Sequence, residues 1–475
     1  MLFPTVTFAV FFLIVLPLSW ALMQRQTIWR PFMLVASYVF YAWWNWRFVF
    51  LLASSTIANQ FFGVMIHRAG RQSRRRWLLA GAIAFDVGLL GYFKYAGFFV
   101  SSAQNLLARL GVESTGSLLS VTLPVGISFF TFMAISYVVD IYRGEIEPET
   151  FGRFAVYLSL FPHLVAGPIV RASELIPQLR RPRDARRVYT SRAFFLILTG
   201  LFFKMVIANH LATHLVDDAF AAPGRPSSLE LLVAVYGYAV QIFADFYGYT
   251  NIAIGVALLL GFEFPQNFAA PYAAVSLQDF WRRWHMTLSR WLRDYLYIPL
   301  GGSRRGRLFT YRNLLATMLL GGLWHGAAWT FIAWGGIHGL GLAVERLVRD
   351  RRAARGLAEP PDTRLRRAAG RLLTFHVVCF GWIFFRADSF SHARDVIVRL
   401  FDAWGRPSPL VTTSAVLAIA VGIASQYVPA GLVAATLERF ARVPVLAQAS
   451  CLAVGLMVVD ALGPQGVAPF IYYRF

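Results

Sequence analysis

Apolar runs of membrane-spanning length recur along nearly the whole chain, and this feature limits the fold more than any other. An α-helix needs about 20 mostly apolar residues to cross a bilayer. Of the 475 residues, 57% are hydrophobic and only 15% are charged, which leaves too little polar surface for a soluble domain of this length. The sequence therefore predicts an all-α, polytopic integral membrane protein with a single domain over residues 1–475.

Twelve segments are candidate spans or arms of short hairpins. They are residues 2–23, 31–45, 48–66, 77–100, 119–141, 154–170, 193–215, 229–262, 308–344, 372–386, 408–428 and 444–463. Residues 154–170 and 308–344 each have basic residues at both ends, so both ends are expected on the cytoplasmic side. These two segments are predicted to be re-entrant or broken helices, and the chain is predicted to cross the membrane about 11 times.

The strong positive charge is explained by basic residues in the cytoplasmic loops of a membrane protein. The net charge is +21, and the basic residues cluster between the apolar runs, as in the cytoplasmic loop predicted at 346–371. This distribution argues against a nucleic-acid partner and favours contact with membrane lipid. Cys379 and Cys451 lie in separate apolar segments, so no disulfide framework or CxxC metal site is expected.

One segment, residues 276–307, is too charged to be a span. Phe280, Trp284, Leu288 and Trp291 follow helical spacing there, and arginines fill the gaps. This pattern predicts amphipathic helices at the cytoplasmic interface.

Two histidines lie in the apolar stretch MLLGGLWHGAAWTFIAWGGIHG, residues 318–339. The glycine pairs at 321–322 and 335–336 are where the sequence predicts helix breaks, which a membrane tolerates only beside a cavity or inside protein. An ionisable residue in a span is a functional candidate, so His325 is either a general base for a hydroxyl nucleophile or a structural residue. His338 is expected to support the site rather than to react.

Other polar groups allow two interpretations each. His285, beside Arg282 and Arg283, belongs to an aromatic belt that contacts lipid phosphates or to the wall of a donor entrance. Asp245, in DFYGYTNIAIG, orients a histidine, binds a hydroxyl group or has a structural partner. His210 and His214 are four residues apart but match no metal-site pattern, so no metal is expected.

Taken together, these stretches resemble the membrane-bound O-acyltransferase (MBOAT) family, in the AlgI-like branch that O-acetylates bacterial polysaccharides. The motifs that carry the resemblance are LPVGISFFTFMAISYVVDIYRG (123–144), FPHLVAGPIVR (161–171), DFYGYTNIAIG (245–255), DFWRRWHMTLSRWLRDYLYIPLGG (279–302), GGLWHG (321–326) and the terminal FIYYRF. The branch commonly reads FSGYSDMAIG where this chain has FYGYTNIAIG, so Tyr247 and Asn251 replace a serine and an acid.

The resemblance implies the MBOAT fold, with a thinned central region in which His325 is catalytic. The residues expected to support it are His285, His338, Trp324, Asp245 and Asn251. The donor would be a cytosolic thioester, acetyl-CoA or a carrier-bound acyl group, with no bound cofactor. The residues expected to bind the donor are Arg282, Arg283, Arg293, Arg304 and Arg305.

The resemblance also implies a setting and two competing functions. It implies a multi-pass protein of the inner membrane, an extracytoplasmic polysaccharide acceptor such as alginate, and a periplasmic acetyltransferase partner. D-alanyl transfer to teichoic acid, as in the DltB-like branch, is the alternative within the family. A transporter or a non-catalytic scaffold is the alternative outside it, since broken helices also mark transporters.

Overall fold

The computed structural model describes residues 1–112, 121–358 and 360–464, and no strand occurs in those ranges. This confirms the all-α prediction. The terminal FIYYRF motif lies outside the described residues. The chain forms two compact units and passes from one to the other three times, once inside a long helix at Val256. The prediction of a single domain remains a prediction at the level of the whole chain.

The first unit comprises Met1–Thr190 and Val256–Pro265. Its helices are α1 (Val6–Leu22), α2 (Gln26–Ala42), α3 (Arg47–Arg68), α4 (Gln72–Leu90), α5 (Ala96–Arg109), α6 (Ile127–Arg143), α7 (Phe151–Ser159), α8 (Phe161–Leu164) and α9 (Ala172–Arg180). The break predicted within 154–170 is present at Leu160, between α7 and α8, and every residue from 154 to 170 is buried. A broken backbone surrounded by protein keeps its polar groups away from lipid.

The second unit comprises Ser191–Gly255 and Gln266–Phe475. Its helices are α10 (Thr190–Leu201), α11 (Asn209–Leu211), α12 (Asp217–Ala221), α13 (Ser228–Leu259), α14 (Leu277–Arg283), α15 (Met286–Leu292), α16 (Arg307–His325), α17 (Trp329–Ala354), α18 (Arg364–Arg386), α19 (Phe390–Asp402), α20 (Thr413–Ala424), α21 (Ala430–Ala441) and α22 (Val445–Leu462). π-helical turns join α10, α11 and α12 into one span of 32 residues.

Six helices in the described residues are long and apolar enough to cross a membrane, or seven if the bent pair α20–α21 counts as one span. This confirms the prediction of a polytopic membrane protein. The number of such helices in the described residues is smaller than the predicted 11 spans. The difference comes from helix length and polarity. α1, for example, is apolar but has only 17 residues, which is about 26 Å at 1.5 Å per residue.

The predicted helix breaks at the two glycine pairs were wrong. α16 runs through Gly321 and Gly322 to His325, and α17 runs through Gly335 and Gly336. The chain turns instead at residues 326–328, between the two helices.

Glycines bring α16 and α17 into direct backbone contact. A Cβ on Gly322 would lie 2.2 Å from the carbonyl oxygen of Phe331, and a Cβ on Gly335 would lie 2.3 Å from that of Met318. Any side chain at either position would force the helices apart. Close packing at these positions therefore outweighs the low helix propensity of glycine.

The segment 276–307 contains two short helices, α14 and α15, with a break at Trp284 and His285. Its four apolar positions, Phe280, Trp284, Leu288 and Trp291, are all buried, as their spacing predicted. The predicted basic loop is mostly helical, because α17 continues to Ala354 and α18 begins at Arg364. Arginine has a good helix propensity and does not itself end a helix.

Candidate active site

His325 is the last residue of α16 and is only 2% exposed. The backbone leaves the helix at Gly326, where a Cβ would lie 2.1 Å from the ring of Phe331. Glycine at this position therefore lets the α17 aromatic ring pack directly beside the histidine. The WHG sequence thus places an imidazole at a buried helix end, next to a turn that a larger residue would not allow.

Aromatic rings surround His325. The centroid of its imidazole lies 4.9 Å from that of Trp324, 5.0 Å from Trp334 and 5.4 Å from Phe385. All three contacts are edge-to-face, an arrangement that aromatic rings favour. The rings fix the orientation of the imidazole and keep bulk water away from it.

His338 shares this aromatic cluster. Its ring centroid lies 5.0 Å from that of Trp334 and 5.2 Å from that of Trp281. The residue is fully buried, and neither ring nitrogen has a hydrogen-bond partner among the residues described. His338 therefore lies one tryptophan away from His325, which fits a supporting position.

His285 joins the same cluster through Trp324, whose ring centroid lies 6.0 Å away. Its Nδ1 donates a hydrogen bond to the Asn267 side-chain oxygen, 3.1 Å away, and Thr287 donates to the same oxygen. Burial lowers the pKa of His285 to about 3, so the imidazole is neutral at physiological pH. The backbone φ is +41°, a conformation that non-glycine residues rarely adopt and that often marks a functional site.

Asp245 forms a buried ion pair. Its carboxylate contacts the ammonium group of Lys204, and both side chains are at most 4% exposed. The pair joins α13 to the π-helical turn Phe202–Ala208. This contact matches the structural-partner interpretation of Asp245, and the role of Asp245 in supporting His325 stays a prediction.

The two departures from the family motif, Tyr247 and Asn251, lie one turn apart on α13, and Asn251 is 5% exposed. Their effect on the active site is untested.

A basic pocket of about 290 Å³ opens beside α16 and α17. Its charged lining residues are Arg293, Glu345, Arg346 and Arg349, and its other lining residues include Trp281, Thr317 and Met318. The Glu345 carboxylate accepts hydrogen bonds from the backbone N–H groups of Leu277 and Gln278, so it orients α14. Arg293 pairs with Asp294 and Arg346 with Asp350, whereas the guanidinium group of Arg349 donates to the neutral side chain of Gln278. A guanidinium group that is not paired with a carboxylate can bind a phosphate group.

Of the five arginines predicted to bind the donor, Arg293 alone lines the basic pocket. Arg283 pairs with Asp279 within α14. Arg282, Arg304 and Arg305 are exposed. The sequence analysis missed Arg346 and Arg349, because it assigned them to a loop; their three-residue spacing on a helix was the available signal.

A second cavity, the polar chamber, has a volume of about 310 Å³. It is lined by Tyr238, Gln241, Ala327, Ala328, Thr330, Phe331, Phe385, Arg386, Ala387 and Asp388. The sequence analysis did not single out Gln241 or Thr330, although a glutamine in an apolar span was a visible signal.

His325 lies between the two cavities in the aromatic cluster. Phe385, in contact with His325, also lines the polar chamber. Trp334, which also contacts His325, contacts Trp281, which lines the basic pocket. One ring therefore separates the imidazole from the chamber, and two rings separate it from the pocket.

Apolar helices of spanning length define a multi-pass membrane protein, and the buried histidine near two cavities is its candidate active-site residue. The chain belongs to the membrane-bound O-acyltransferase family, whose sequence profile matches residues 142–365, and it is an O-acyltransferase. Family membership favours an O-acyltransferase over the transporter and scaffold alternatives.

The relatives place the chain in the AlgI-like branch. It is 42% identical to the probable alginate O-acetylase AlgI of Pseudomonas aeruginosa, over 76% of this chain and 67% of that protein. It is 37% identical to the peptidoglycan O-acetyltransferase of Helicobacter pylori, over 78% of this chain and 73% of that protein. The teichoic acid D-alanyltransferase of Streptococcus thermophilus is 30% identical, over 58% of this chain and 70% of that protein.

Proposed function

We propose that this protein transfers an acetyl group from a cytosolic thioester to a hydroxyl group on the other side of the membrane, and that the ester ends on a polysaccharide. The observation that carries the proposal is the buried His325 between the basic pocket and the polar chamber. The names of the relatives, an alginate O-acetylase and a peptidoglycan O-acetyltransferase, support a polysaccharide acceptor.

The distribution of arginines supports the direction of transfer. α16 begins at Arg307, α17 ends in the run Arg346–Arg355, and α18 begins at Arg364, so these ends belong on the cytoplasmic side. The basic pocket lies near these ends. His325 is about 27 Å along α16 from Arg307, and the polar chamber includes the opposite end of α18.

The basic pocket suits a donor that carries phosphate groups. Arg349, which pairs with no carboxylate among the described residues, offers a planar guanidinium group that can bind two phosphate oxygens, and Arg293 and Arg346 line the same cavity. Acetyl-CoA carries phosphates next to its thioester arm and is the donor that this pocket favours. No metal or resident cofactor is required for this transfer.

His325 supplies the proton chemistry. As a general base it takes the proton of the acceptor hydroxyl group, and the oxygen attacks the thioester carbonyl. The carbon–sulfur bond breaks, the ester bond forms, and the departing thiolate takes the proton from the imidazolium. The aromatic cluster limits hydrolysis, because it keeps water away from the thioester.

The family resemblance supplies the wider setting of this proposal. It favours the inner membrane of a bacterium, with a periplasmic acetyltransferase that completes modification of the glycan. The polar chamber would then receive its hydroxyl acceptor from the periplasmic side.

The test compares ester-linked acetate on the cell's exopolysaccharide between wild type and His325→Ala at matched membrane expression. We expect the acetate to disappear in His325→Ala and to persist in His67→Ala, which changes an exposed histidine at the end of α3. Unchanged acetate in a folded His325→Ala protein would contradict a catalytic His325.

D-alanyl transfer is the alternative that the 30% identical relative supports. The same polysaccharide and wall fractions are therefore assayed for D-alanyl esters. Loss of D-alanyl esters in His325→Ala, without any change in acetate, would mean that the protein transfers D-alanyl groups and not acetyl groups. The proposed role of His325 would be the same.

A further inference from the structure

One aspartate of the first unit lies deep in a membrane-spanning helix. Asp86, in α4, is 1% exposed and lies about 15 Å along the helix axis from Arg76, which is half the thickness of a bilayer core. Its partners among the described residues are the neutral side chains of Asn59, at 2.9 Å, and Ser55, at 3.5 Å, both in α3 and fully buried. An ionised carboxylate at this depth requires a cation.

No neighbouring element supplies that cation. The elements packed against α4 are α3, α6 and the π-helical turn Gly91–Tyr95. None of their charged side chains forms an ion pair or a hydrogen bond with Asp86 among the described residues; these side chains are Arg47, Arg68, Lys94, Asp140 and Arg143. Asp86 therefore differs from Asp245, whose charge is neutralised by Lys204.

Two oxygens of the Asp86–Asn59 pair lack a partner. The Asn59 Nδ2 group donates both to Asp86 Oδ1, at 2.9 Å, and to the backbone oxygen of Ser55, at 3.0 Å, so the orientation of the amide is fixed. Asp86 Oδ2 and Asn59 Oδ1 have no hydrogen-bond partner among the described residues. Both atoms are acceptors as long as the carboxylate is ionised, whereas a proton on Oδ2 makes it a donor. Since buried polar atoms are nearly always hydrogen-bonded, the two oxygens require such a donor.

We propose that Asp86 and Asn59 form a proton-binding site in the membrane interior. The proton is bound to Asp86 Oδ2, which donates to Asn59 Oδ1, while Asn59 Nδ2 donates to Asp86 Oδ1. The acid and the amide are then joined by two hydrogen bonds and carry no net charge. The bound proton thereby links α3 to α4, and its loss would leave an unpaired charge between the two helices. This site is independent of the proposed acetyl transfer.

A sodium ion is the competing ligand, because it would also neutralise Asp86. Hard metal cations take about six oxygen ligands. The cluster offers the Asp86 carboxylate and the side-chain oxygens of Asn59 and Ser55, which are too few for such a shell. A proton needs only the two oxygens that lack a partner, so it fits the observed groups better.

The test compares the purified full-length protein with Asp86→Asn and Asp245→Asn at pH 7. Infrared spectroscopy distinguishes the two states of an aspartate, because a protonated carboxyl group has a carbonyl band that a carboxylate lacks. We expect Asp86→Asn to lose intensity in the protonated-carboxyl band, and Asp245→Asn to lose carboxylate intensity only. Asp245 is the matched control, since it is a buried aspartate that has a cation partner.

Thermal unfolding of the same proteins, in sodium chloride and in choline chloride, is the second measurement. The midpoint of Asp86→Asn should equal that of wild type in both salts, because an amide offers the same donor and acceptor as a protonated acid. The midpoint of Asp245→Asn should be several degrees lower, because Lys204 is left buried without its anion.

Three results would overturn the proton site. An unchanged protonated-carboxyl band in Asp86→Asn would mean that Asp86 is ionised. A fall in the midpoint of Asp86→Asn as large as that of Asp245→Asn would mean that the negative charge of Asp86 is needed. A midpoint of wild type that is higher in sodium chloride than in choline chloride, with no such difference in Asp86→Asn, would assign the cluster to a sodium ion.

Discussion

The buried ion pair between Lys204 and Asp245 shows what a charged residue requires inside this protein. Both side chains are almost completely buried, and both lie in helices of spanning length. A lone charge there would be strongly unfavourable, whereas the pair neutralises itself. Gly248 packs against the same turn, since a Cβ on it would lie 2.9 Å from the backbone nitrogen of Lys204. The ion pair and the glycine together hold α13 against the α10–α12 span.

Removing one partner of this pair should destabilise the protein strongly. We expect Lys204→Met to lower the free energy of unfolding by about 3–5 kcal/mol, because the Asp245 carboxylate is left buried without its cation. The double variant Lys204→Met, Asp245→Leu should recover most of this loss. The stability of the single and the double variant is measured by thermal unfolding of the detergent-purified proteins, monitored by size-exclusion chromatography. Equal stability of the single and double variants would mean that the pair is not coupled.

His325 was predictable from the sequence, whereas the contacts that define its surroundings were not. A histidine in an apolar stretch is visible in the sequence, and so are the tryptophans beside it. The partner of Asp245 lies 41 residues earlier in the chain, on another helix, and no local pattern indicates it. Gln241 and Thr330 belong to one cavity only because two distant helices meet there.

The α16–α17 hairpin determines where His325 lies. Glycine at 322 and 335 lets the two backbones touch, and glycine at 326 leaves room for the ring of Phe331. The sequence analysis placed the helix breaks at the glycine pairs from propensity alone. Propensity failed here because tertiary packing contributes more than about 1 kcal/mol per glycine. The prediction of a broken segment is confirmed by the turn between α16 and α17, and the cytoplasmic location of its two ends stays a prediction.

Two neighbouring glycines of α17 test this packing against propensity. Gly335→Ala should lower the melting temperature and abolish acetyl transfer, because its Cβ would lie 2.3 Å from a backbone oxygen that cannot move alone. Gly336→Ala should keep activity and be as stable as wild type or slightly more so, since its Cβ would meet only a leucine methyl group at 3.6 Å. Thermal unfolding and ester formation are measured for both. Equal behaviour of the two variants would show that backbone contact does not hold the hairpin together.

At the scale of the whole molecule, the proposed function requires an anionic donor on one side of the membrane and a hydroxyl acceptor on the other. The composition indicated this asymmetry, since the net charge of +21 is concentrated between spans. The composition did not indicate which arginines bind the donor, because many arginines on the cytoplasmic side only determine the orientation of the protein in the membrane. The cavity distinguishes them, with Arg293, Arg346 and Arg349 in its lining.

The donor side can therefore be tested by comparing arginines inside and outside the basic pocket. We expect Arg293→Gln and Arg349→Gln to raise the apparent KM for acetyl-CoA about ten-fold each at low salt, with a smaller effect at high salt, because each removes a charge-assisted contact to phosphate. Arg366→Gln, an exposed arginine at the start of α18, is the control and should change the KM less than two-fold. Arg304→Gln and Arg305→Gln distinguish the two assignments of the donor site. A large KM effect in them, without one in Arg293→Gln or Arg349→Gln, would place the donor at Arg304 and Arg305, which the sequence predicted, and not in the pocket.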